Sequence, residues 1–401
     1  MMRARAWVIA LVLTSAWVQA RGQTPSFQGL PMDIANGVSA DGLVVVGTVT
    51  GFPSVLGHQA CRWTCDGGLE ALGDLPGGSL YSQGLGISAD GSVVVGTGRT
   101  DSPDKNLYNH VQAARWTSAG SGQDLGDLPN GPPRSEAYDV SADGSVVVGY
   151  ATSSLTLRAF RWTAQTGMQD LGPANEAKFS CARGVSADGS VVVGYARSPN
   201  ASGSIEYHEA FLWTAIAGMT LLGDLPGGSF GSEGLAVSAD GSAVVGQSPS
   251  EIGMQAFRWT ESGGMEGLGI LEPVGSKSCA FAVSGDGSVV GGYCSHPMHD
   301  TVPFIWDATH GMRNLQEVLE NDCGLDLAEW SSLIVWGMSD DWDDFRGRGR
   351  QPLWTLPGLD CHDPRTCHAR LPGARRSRRS PGTREQVIRA AGEFGGRDTS
   401  A

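Results

Sequence analysis

The sequence lacks an apolar run long enough to cross a bilayer. Its N-terminal apolar stretch, residues 6–18, is shorter than the ~20 residues that a membrane-spanning helix needs, and nothing downstream is longer. Two arginines precede this stretch and small residues follow it, as in a secretory leader. We therefore predict that residues 1–20 are a signal peptide cleaved after Ala20. The alternative is a buried N-terminal helix, and the basic start favours export.

Basic residues are also scarce. Lys and Arg total 28 against 42 Asp and Glu, which gives a net charge of −14 at pH 7. An acidic surface repels phosphate backbones, so the composition argues against a nucleic-acid partner.

Cysteine is limited to eight residues, and their positions do not repeat along the chain. An exported chain enters an oxidising compartment where cysteines form disulfides. Any such bridges would hold individual places together without defining the fold. The eight positions are Cys61, Cys65, Cys181, Cys279, Cys294, Cys323, Cys361 and Cys367.

What the chain has in abundance is a repeat. Glycine, at 58 residues, is about twice its ordinary frequency and indicates frequent turns. VSADGSVVVGY occurs twice without change, at 140–150 and 185–195, and six related copies form units of about 48 residues. Each copy is followed by an aromatic run that ends in tryptophan. The copies are centred on Asp41, Asp90, Asp143, Asp188, Asp240 and Asp286, and the tryptophans are Trp63, Trp116, Trp162, Trp213, Trp259 and Trp306.

One unit contains four short segments with β-strand composition. Residues 136–141 and 145–150 flank an Ala-Asp-Gly turn and therefore predict a β-hairpin. Residues 157–163 and 168–172 predict two further strands. Four antiparallel strands per unit are typical of a β-propeller blade, and the continuous VVV core suits a strand covered on both faces. We predict an all-β propeller in which neighbouring blades bury each other's valines.

A seventh copy is degenerate. Residues 329–341 align with the start of a unit and 352–358 with its aromatic strand, whereas WDDFRGRGR stands where a VVVG strand belongs. The N-terminal segment 26–31 resembles the missing fourth strand. We predict a propeller over residues 21–360 with about seven four-stranded blades, six clear and one degenerate, closed by this N-terminal strand.

An insertion at 314–327 interrupts the repeat. Asn314 and Glu317 have capping-box spacing, and Leu315, Val318 and Leu319 share one face of a helix. We predict a short helix packed on the ring between blades six and seven.

Together these motifs resemble the HAF-repeat family of bacterial extracellular proteins. The resemblance is carried by HEAFLW, LRAFRW and MQAFRW, by the DLPGG segments, by the ADGSVVVG hairpins and by the 314–327 insertion. It covers residues 27–358. It implies export and often a C-terminal sorting anchor, and it implies no established chemistry or cofactor.

The C-terminus departs from that family. Residues 361–401 contain nine arginines, no lysine and no apolar anchor. They are either a disordered basic tail or the product of a shifted reading frame. The damage to the seventh copy just upstream favours the frameshift.

No segment predicts a catalytic, cofactor or metal site. GGSFG at 227–231 matches a nucleophile elbow, but it belongs to a repeated loop. The SADG aspartates are explained by turn geometry. HPMHD at 296–300 and CHDPRTCH at 361–368 offer metal-binding side chains in loops, without the usual zinc spacing.

Cys279 and Cys294 flank one hairpin. A two-residue Asp286-Gly287 turn would place them opposite each other, at the Cα separation of ~5.5 Å that suits a disulfide. A three-residue turn with a glycine bulge would shift the register by one residue and weaken the case. The sequence leaves both alternatives open.

These observations predict a secreted or cell-envelope module that binds a ligand or serves a structural role without catalysis. We expect a monomer whose partner is an extracellular polysaccharide or envelope protein. Binding is expected in the variable loops 98–111 and 196–209 and the LPGGS loops, because variable loops on a repeated scaffold carry binding. The alternatives are a propeller hydrolase or lyase acting on extracellular glycans, and a surface adhesin.

Overall fold

The fold is defined by a computed structural model that describes most of the repeat region. The described residues are 30–50, 57–78, 81–100, 111–117, 122–154, 156–172, 179–199, 206–271, 277–296, 299–324, 326–327, 335 and 337–338. The predicted signal peptide, its cleavage site at Ala20 and the arginine-rich tail lie outside them. Among the described residues no helix has the length and apolarity to span a membrane.

The described chain forms six four-stranded antiparallel sheets, one per clear repeat, and one helix. We number the sheets 1 to 6 in chain order. Sheet 1 comprises β1 (Ile34–Val38), β2 (Val44–Thr50), β3 (His58–Thr64) and β4 (Gly68–Ala71); sheet 2 comprises β5 (Ser82–Ile87), β6 (Val93–Arg99), β7 (Val111–Thr117) and β8 (Gln123–Asp124); sheet 3 comprises β9 (Ser135–Val140), β10 (Val146–Ser153), β11 (Thr156–Thr163) and β12 (Gly167–Asp170). Sheet 4 comprises β13 (Ser180–Val185), β14 (Val191–Pro199), β15 (Glu206–Thr214) and β16 (Gly218–Leu221); sheet 5 comprises β17 (Glu233–Val237), β18 (Ala243–Ser250), β19 (Gly253–Thr260) and β20 (Gly264–Gly267); sheet 6 comprises β21 (Lys277–Val283), β22 (Val289–His296), β23 (His299–Asp307) and β24 (Gly311–Asn314).

The all-β prediction and the four strands of each unit are confirmed. In sheet 3 the strands match the predicted segments to within two residues at nearly every boundary. The second strand of that sheet, β10, is buried along almost its whole length, as its continuous valines require. Sheets 5 and 6 share one parallel bridge between Met254 and Lys277. No other strand pairing joins these two sheets within the described residues.

Consecutive sheets are joined by backbone hydrogen bonds at the SADG turns. The alanine N–H of one turn donates to the alanine carbonyl oxygen of the next turn along the chain. The bonds run from Ala40 to Ala89, Ala89 to Ala142, Ala142 to Ala187 and Ala187 to Ala239, at 2.9–3.0 Å, and Asp240 donates to Gly285 at 3.2 Å. The turns of six sheets therefore form one continuous chain of bonds.

The turn glycines also pack between sheets. Gly144 has φ 71°, and a Cβ added to it would lie 2.5 Å from Cγ2 of Val93 in sheet 2. Gly189 stands in the same relation to Val146 in sheet 3. Glycine is therefore required at this position for two reasons: its backbone is left-handed, and the neighbouring sheet approaches too closely for a Cβ. This explains why the repeat is so uniform.

A buried serine joins the other end of each sheet to its neighbour. Ser232, at the start of the polypeptide leading into β17, accepts from the Ala210 N–H at 2.9 Å and donates to the Gly223 carbonyl at 2.7 Å. The equivalent serines accept from the third strand of the preceding sheet. They are Ser82, Ser135, Ser180 and Ser278.

The predicted helix is confirmed as α1 (Leu315–Cys323). Asn314 is its N-cap and accepts hydrogen bonds from the N–H groups of Gln316 and Glu317, and Gly324 ends it in the left-handed conformation. Its apolar face, which holds Leu315, Val318 and Leu319, packs in one buried cluster with Val335. The helix therefore packs on sheet 6, and most of the seventh blade, which the prediction places on its other side, lies outside the described residues.

Only three residues of the predicted seventh copy are described, Val335, Gly337 and Met338. Val335 and Met338 pack against Gly291 of sheet 6, and a Cβ on Gly337 would lie 3.5 Å from the Val38 side chain of sheet 1. This segment therefore touches both the last and the first described sheet.

Candidate functional site: the central channel and its mouth

The first strand of every sheet contains a β-bulge at the same position. The register shifts at one residue, so that this residue has no partner on the second strand. Bulges redirect a side chain away from the regular alternation of a strand. The six bulged residues are Asn36, Leu85, Tyr138, Arg183, Leu235 and Phe281.

All six bulged side chains line one cavity of about 560 Å³. The cavity is bounded by the first strands of all six sheets together with Gly337 and Met338. Sheets that present their first strands to a shared central space have the arrangement of β-propeller blades. The cavity is thus a central channel, and its volume falls in the range of small-molecule sites.

One end of the channel, which we call the turn end, is formed by the SADG turns. Its lining consists of alanines, among them Ala40, Ala142 and Ala239. The aspartates beside them serve the turns. Asp143 accepts hydrogen bonds from Ser145 and Ser141, and these hold the pKa of its carboxyl below the ordinary value. The prediction that turn geometry explains these aspartates agrees with this geometry.

The other end, which we call the mouth, carries unlike side chains from sheets 3, 4 and 5. In sheet 3 the Glu136 carboxylate accepts from the hydroxyls of Tyr138, at 3.1 Å, and of Tyr150. Arg134 donates to the Tyr150 hydroxyl at 3.2 Å. Burial is the main cause that raises the pKa of Tyr138, so its hydroxyl stays protonated at neutral pH.

Sheets 4 and 5 meet at the mouth through His208 and Glu233. His208 Nε2 accepts from Nε of Arg197 at 3.3 Å, so the ring proton is on Nδ1, which donates to Glu233 Oε1 at 2.8 Å. Gln247 donates to the other oxygen of Glu233 at 2.9 Å. The hydrogen bond from His208 is the main cause that lowers the pKa of Glu233, which is therefore an anion at neutral pH.

Arg183 lies between these two groups. Its guanidinium carbon is 4.1 Å from the centre of the Tyr138 ring, a cation–π contact between sheets 3 and 4. One terminal nitrogen donates to the Tyr195 hydroxyl at 3.4 Å, and Nε is buried without an acceptor. Within the described part of the chain, no carboxylate forms an ion pair with Arg183.

Aromatic rings contact one another on the mouth side, whereas the six repeat tryptophans lie near the turn end of the third strands. Tyr81 lies just before β5 and Tyr207 near the start of β15, Tyr138 is the bulged residue of β9, and the other described tyrosines lie in the middle of second strands, at Tyr150, Tyr195 and Tyr293. Tyr195 stacks on His208 with ring centres 4.7 Å apart, and Phe281 stacks on Tyr293 at 5.7 Å. The mouth therefore combines aromatic rings with arginines and paired carboxylates.

The described ends of the two loops predicted to bind ligand lie on this same side, and residues 101–110 and 200–205 lie outside the described residues. The described end of the second loop contributes Tyr207 and His208. The sequence prediction of binding on this side stays a prediction, and it missed the six bulged residues. Their signal was a variable residue between small residues shortly before each SADG turn.

The other sequence candidates do not form sites in the described structure. Ser229 of GGSFG lies in a loop that leads into strand β17, whereas a nucleophile elbow needs a helix after the serine. His296 and His299 pair across a hairpin, and their side chains lie outside the described part. CHDPRTCH at 361–368 also lies outside it. Across the described residues there is no group of three or more His, Cys, Asp or Glu arranged for a metal.

Of the two alternatives for the hairpin that contains Cys279 and Cys294, the structure has the one in which the strand register is shifted by one residue. The bulge at Phe281 places Cys279 opposite Tyr293 and Cys294 opposite Ser278, so the two cysteines are not cross-strand partners. Both are free and buried, and so are Cys61 and Cys181. Burial raises the pKa of the Cys294 thiol to about 11 and that of Cys181 to about 12, so both are poor nucleophiles.

No protein-family model matches the chain, and no curated protein matches it. Solved structures are similar to it at low identity. TolB from Acinetobacter baumannii is 12% identical with a TM-score of 0.45, over 67% of this chain and 62% of TolB. Prolyl oligopeptidase B from Galerina marginata is 11% identical with a TM-score of 0.46, over 72% of this chain and 42% of the peptidase. The matched region thus spans less than two thirds of each of these proteins, and neither comparison assigns an activity.

Proposed function

We propose that this protein is an exported, non-catalytic binding module in which a seven-bladed propeller holds a ligand in its central channel. The observation that carries the proposal is the contrast within each first strand. The residues that flank the bulge are Ala or Gly in all six described sheets except at Asp139, whereas the bulged residues that line the channel are of five different types. Packing alone would repeat all of them.

Closure into seven blades is part of the proposal. Val335 and Met338 pack on sheet 6, and Gly337 lies beside Val38 of sheet 1. These contacts support the proposal that a seventh first strand lies between sheets 6 and 1. A closed ring has no exposed sheet edge, which favours a soluble module. The proposed N-terminal closing strand, residues 26–31, and the membership of the HAF-repeat family belong to the same hypothesis.

Export is supported by the leader-like residues 1–20 and by one cysteine. Cys65 is disulfide-bonded. Stable disulfides are typical of oxidising compartments such as the extracellular space and the bacterial periplasm. We therefore place the protein outside the cytoplasm.

The test is to fill the channel with a large side chain and to measure whether ligand binding is lost. The exported protein is screened on glycan and peptide arrays, and then Leu235→Trp, at a bulge, is compared with Ile216→Trp, on a fully exposed outer turn. Both variants add an indole, and only the first fills the channel. We expect binding to be lost in Leu235→Trp alone. Binding that survives in both variants would place the site elsewhere.

A specific observation favours a second candidate, a glycan hydrolase or lyase. Tyr138, Arg183 and Glu233 converge on the axis from three different blades, as an active site would require. The raised pKa of Tyr138 opposes its use as a base or nucleophile at neutral pH. Turnover of an array ligand that is lost in Tyr138→Phe would establish the enzyme and refute the binding module.

A further inference from the structure

We propose that the ligand of the channel is a sugar acid whose carboxylate pairs with Arg183. This inference rests on the proposed function and deepens it, since it names the chemical class of the ligand. The inference compares the hydrogen-bonding groups at the mouth that already have a protein partner with those that do not.

The carboxylates at the mouth have their acceptors occupied. Each one accepts a hydrogen bond at both of its oxygens, so none of them requires a cationic ligand. The Glu136 oxygens accept from Tyr138 and Tyr150, and the Glu233 oxygens accept from His208 and Gln247.

The donors of Arg183 are largely unused. A guanidinium has five N–H donors, and within the described residues one of its nitrogens makes a hydrogen bond, the 3.4 Å contact with Tyr195. The ring of Tyr138 covers one face of the guanidinium and fixes its orientation. The charge of Glu233 acts on Arg183 from a distance, but no carboxylate of the described residues forms an ion pair with it, so its N–H groups can bind the carboxylate of a ligand. A carboxylate fits this fork, because it accepts two parallel N–H bonds.

The body of the ligand faces both apolar and polar side chains. Leu85, Leu235 and Phe281 line the same channel as the amides of Asn36 and Gln247. A sugar ring presents apolar C–H faces and hydroxyl edges, and it matches such a mixture. A peptide would gain most from pairing along a strand edge. The bulge in each first strand interrupts that edge, which disfavours strand addition.

The test is calorimetric titration of the full exported protein with trigalacturonic acid. Its methyl ester keeps the rings and removes the charges, and a tetrapeptide with a free C-terminus carries a carboxylate without a sugar. Arg183→Gln is compared with Arg158→Gln, which removes the same charge at an outer ion pair with Asp170. Arg183→Lys keeps the charge without the fork, and thermal melting confirms that each variant is folded.

We expect the acid to bind, and the ester to bind about tenfold to a hundredfold more weakly. Arg183→Gln should weaken binding of the acid by the same factor, with partial recovery in Arg183→Lys and no change in Arg158→Gln. Equal binding of acid and ester, or Arg183-dependent binding of the peptide alone, overturns the sugar acid and leaves the binding module standing. If no array ligand or probe binds in a way that Leu235→Trp abolishes, both proposals fail.

Discussion

The two ends of the channel are built from the same strands, but the residues repeat from sheet to sheet at the turn end and differ at the mouth. At the turn end five described sheets have the same SADG turn and the sixth has SGDG, and the sheets touch through backbone hydrogen bonds and glycine. At the mouth equivalent positions hold Tyr138, Arg183 and Leu235, and these touch through side chains or not at all. Repetition in this chain therefore marks the contacts that hold the sheets together, and departure from repetition marks the surface that we propose binds a ligand.

The largest effect is expected from a glycine at the turn end. In Gly144→Ala the new Cβ would lie 2.5 Å from Val93 and the residue would keep φ near 71°. In the control, Gly167→Ala, φ is similar at 66°, and no atom lies within 4 Å of the new Cβ. We expect the control to lose about 1 kcal/mol of unfolding free energy and Gly144→Ala to lose about 2–4 kcal/mol. Urea denaturation measures both, and equal losses would show that the inter-sheet contact is unimportant.

The next effect concerns the buried serine between sheets 4 and 5. Ser232→Ala leaves the Ala210 N–H and the Gly223 carbonyl without their partner. We expect a loss of about 1–3 kcal/mol in unfolding free energy. Ser242→Ala, at an exposed turn, is the control and should change stability by less than about 0.5 kcal/mol. A neutral Ser232→Ala would mean that water replaces the hydroxyl.

At the mouth a substitution is expected to help folding. Arg183→Leu introduces the residue that two other sheets have at the same bulge, Leu85 and Leu235. It removes a partly buried charge that forms no direct ion pair within the described residues, so unfolding free energy should stay constant or rise by about 1 kcal/mol. Denaturation at pH 7 checks this. A loss above about 2 kcal/mol would show that the contact with Tyr138 holds sheets 3 and 4 together.

The smallest effect is a pH dependence at one turn. The folded-state pKa of Asp143 is lowered, so its ionised form stabilises the fold above the unfolded value near 3.8, and this contribution is lost as the pH falls. In Asp143→Asn the decrease in stability between pH 5 and pH 3 should be slightly shallower than in the wild type. The group is well exposed, so the change will be small. A steeper decrease in the variant would contradict the hydrogen-bond assignment.

The sequence was sufficient for the parts of the fold that depend on local chemistry. The Asp-Gly turns predicted the hairpins, the VVV segments predicted buried strands, and the spacing of Asn314 and Glu317 predicted α1. Each of these depends on residues within a few positions of each other. They are also repeated or capped by well-known patterns.

The mouth could not be predicted in this way. The contact of Arg183 with Tyr138 joins residues of different sheets, and its existence depends on how the first strands approach the axis. Predicting the bulges would also have required knowledge of the strand register, which amino-acid composition does not determine. The serine contacts had a sequence signal, because Ser232 and its equivalents lie six residues before the first residue of each SADG turn.

The bulge has a consequence for how such a protein diversifies. Because each one presents a single side chain while its small neighbours keep the strand in place, the six positions can be exchanged one at a time without rebuilding the scaffold. New selectivity would then arise by point mutation in separate gene segments, and their combinations would multiply the surfaces available from one architecture.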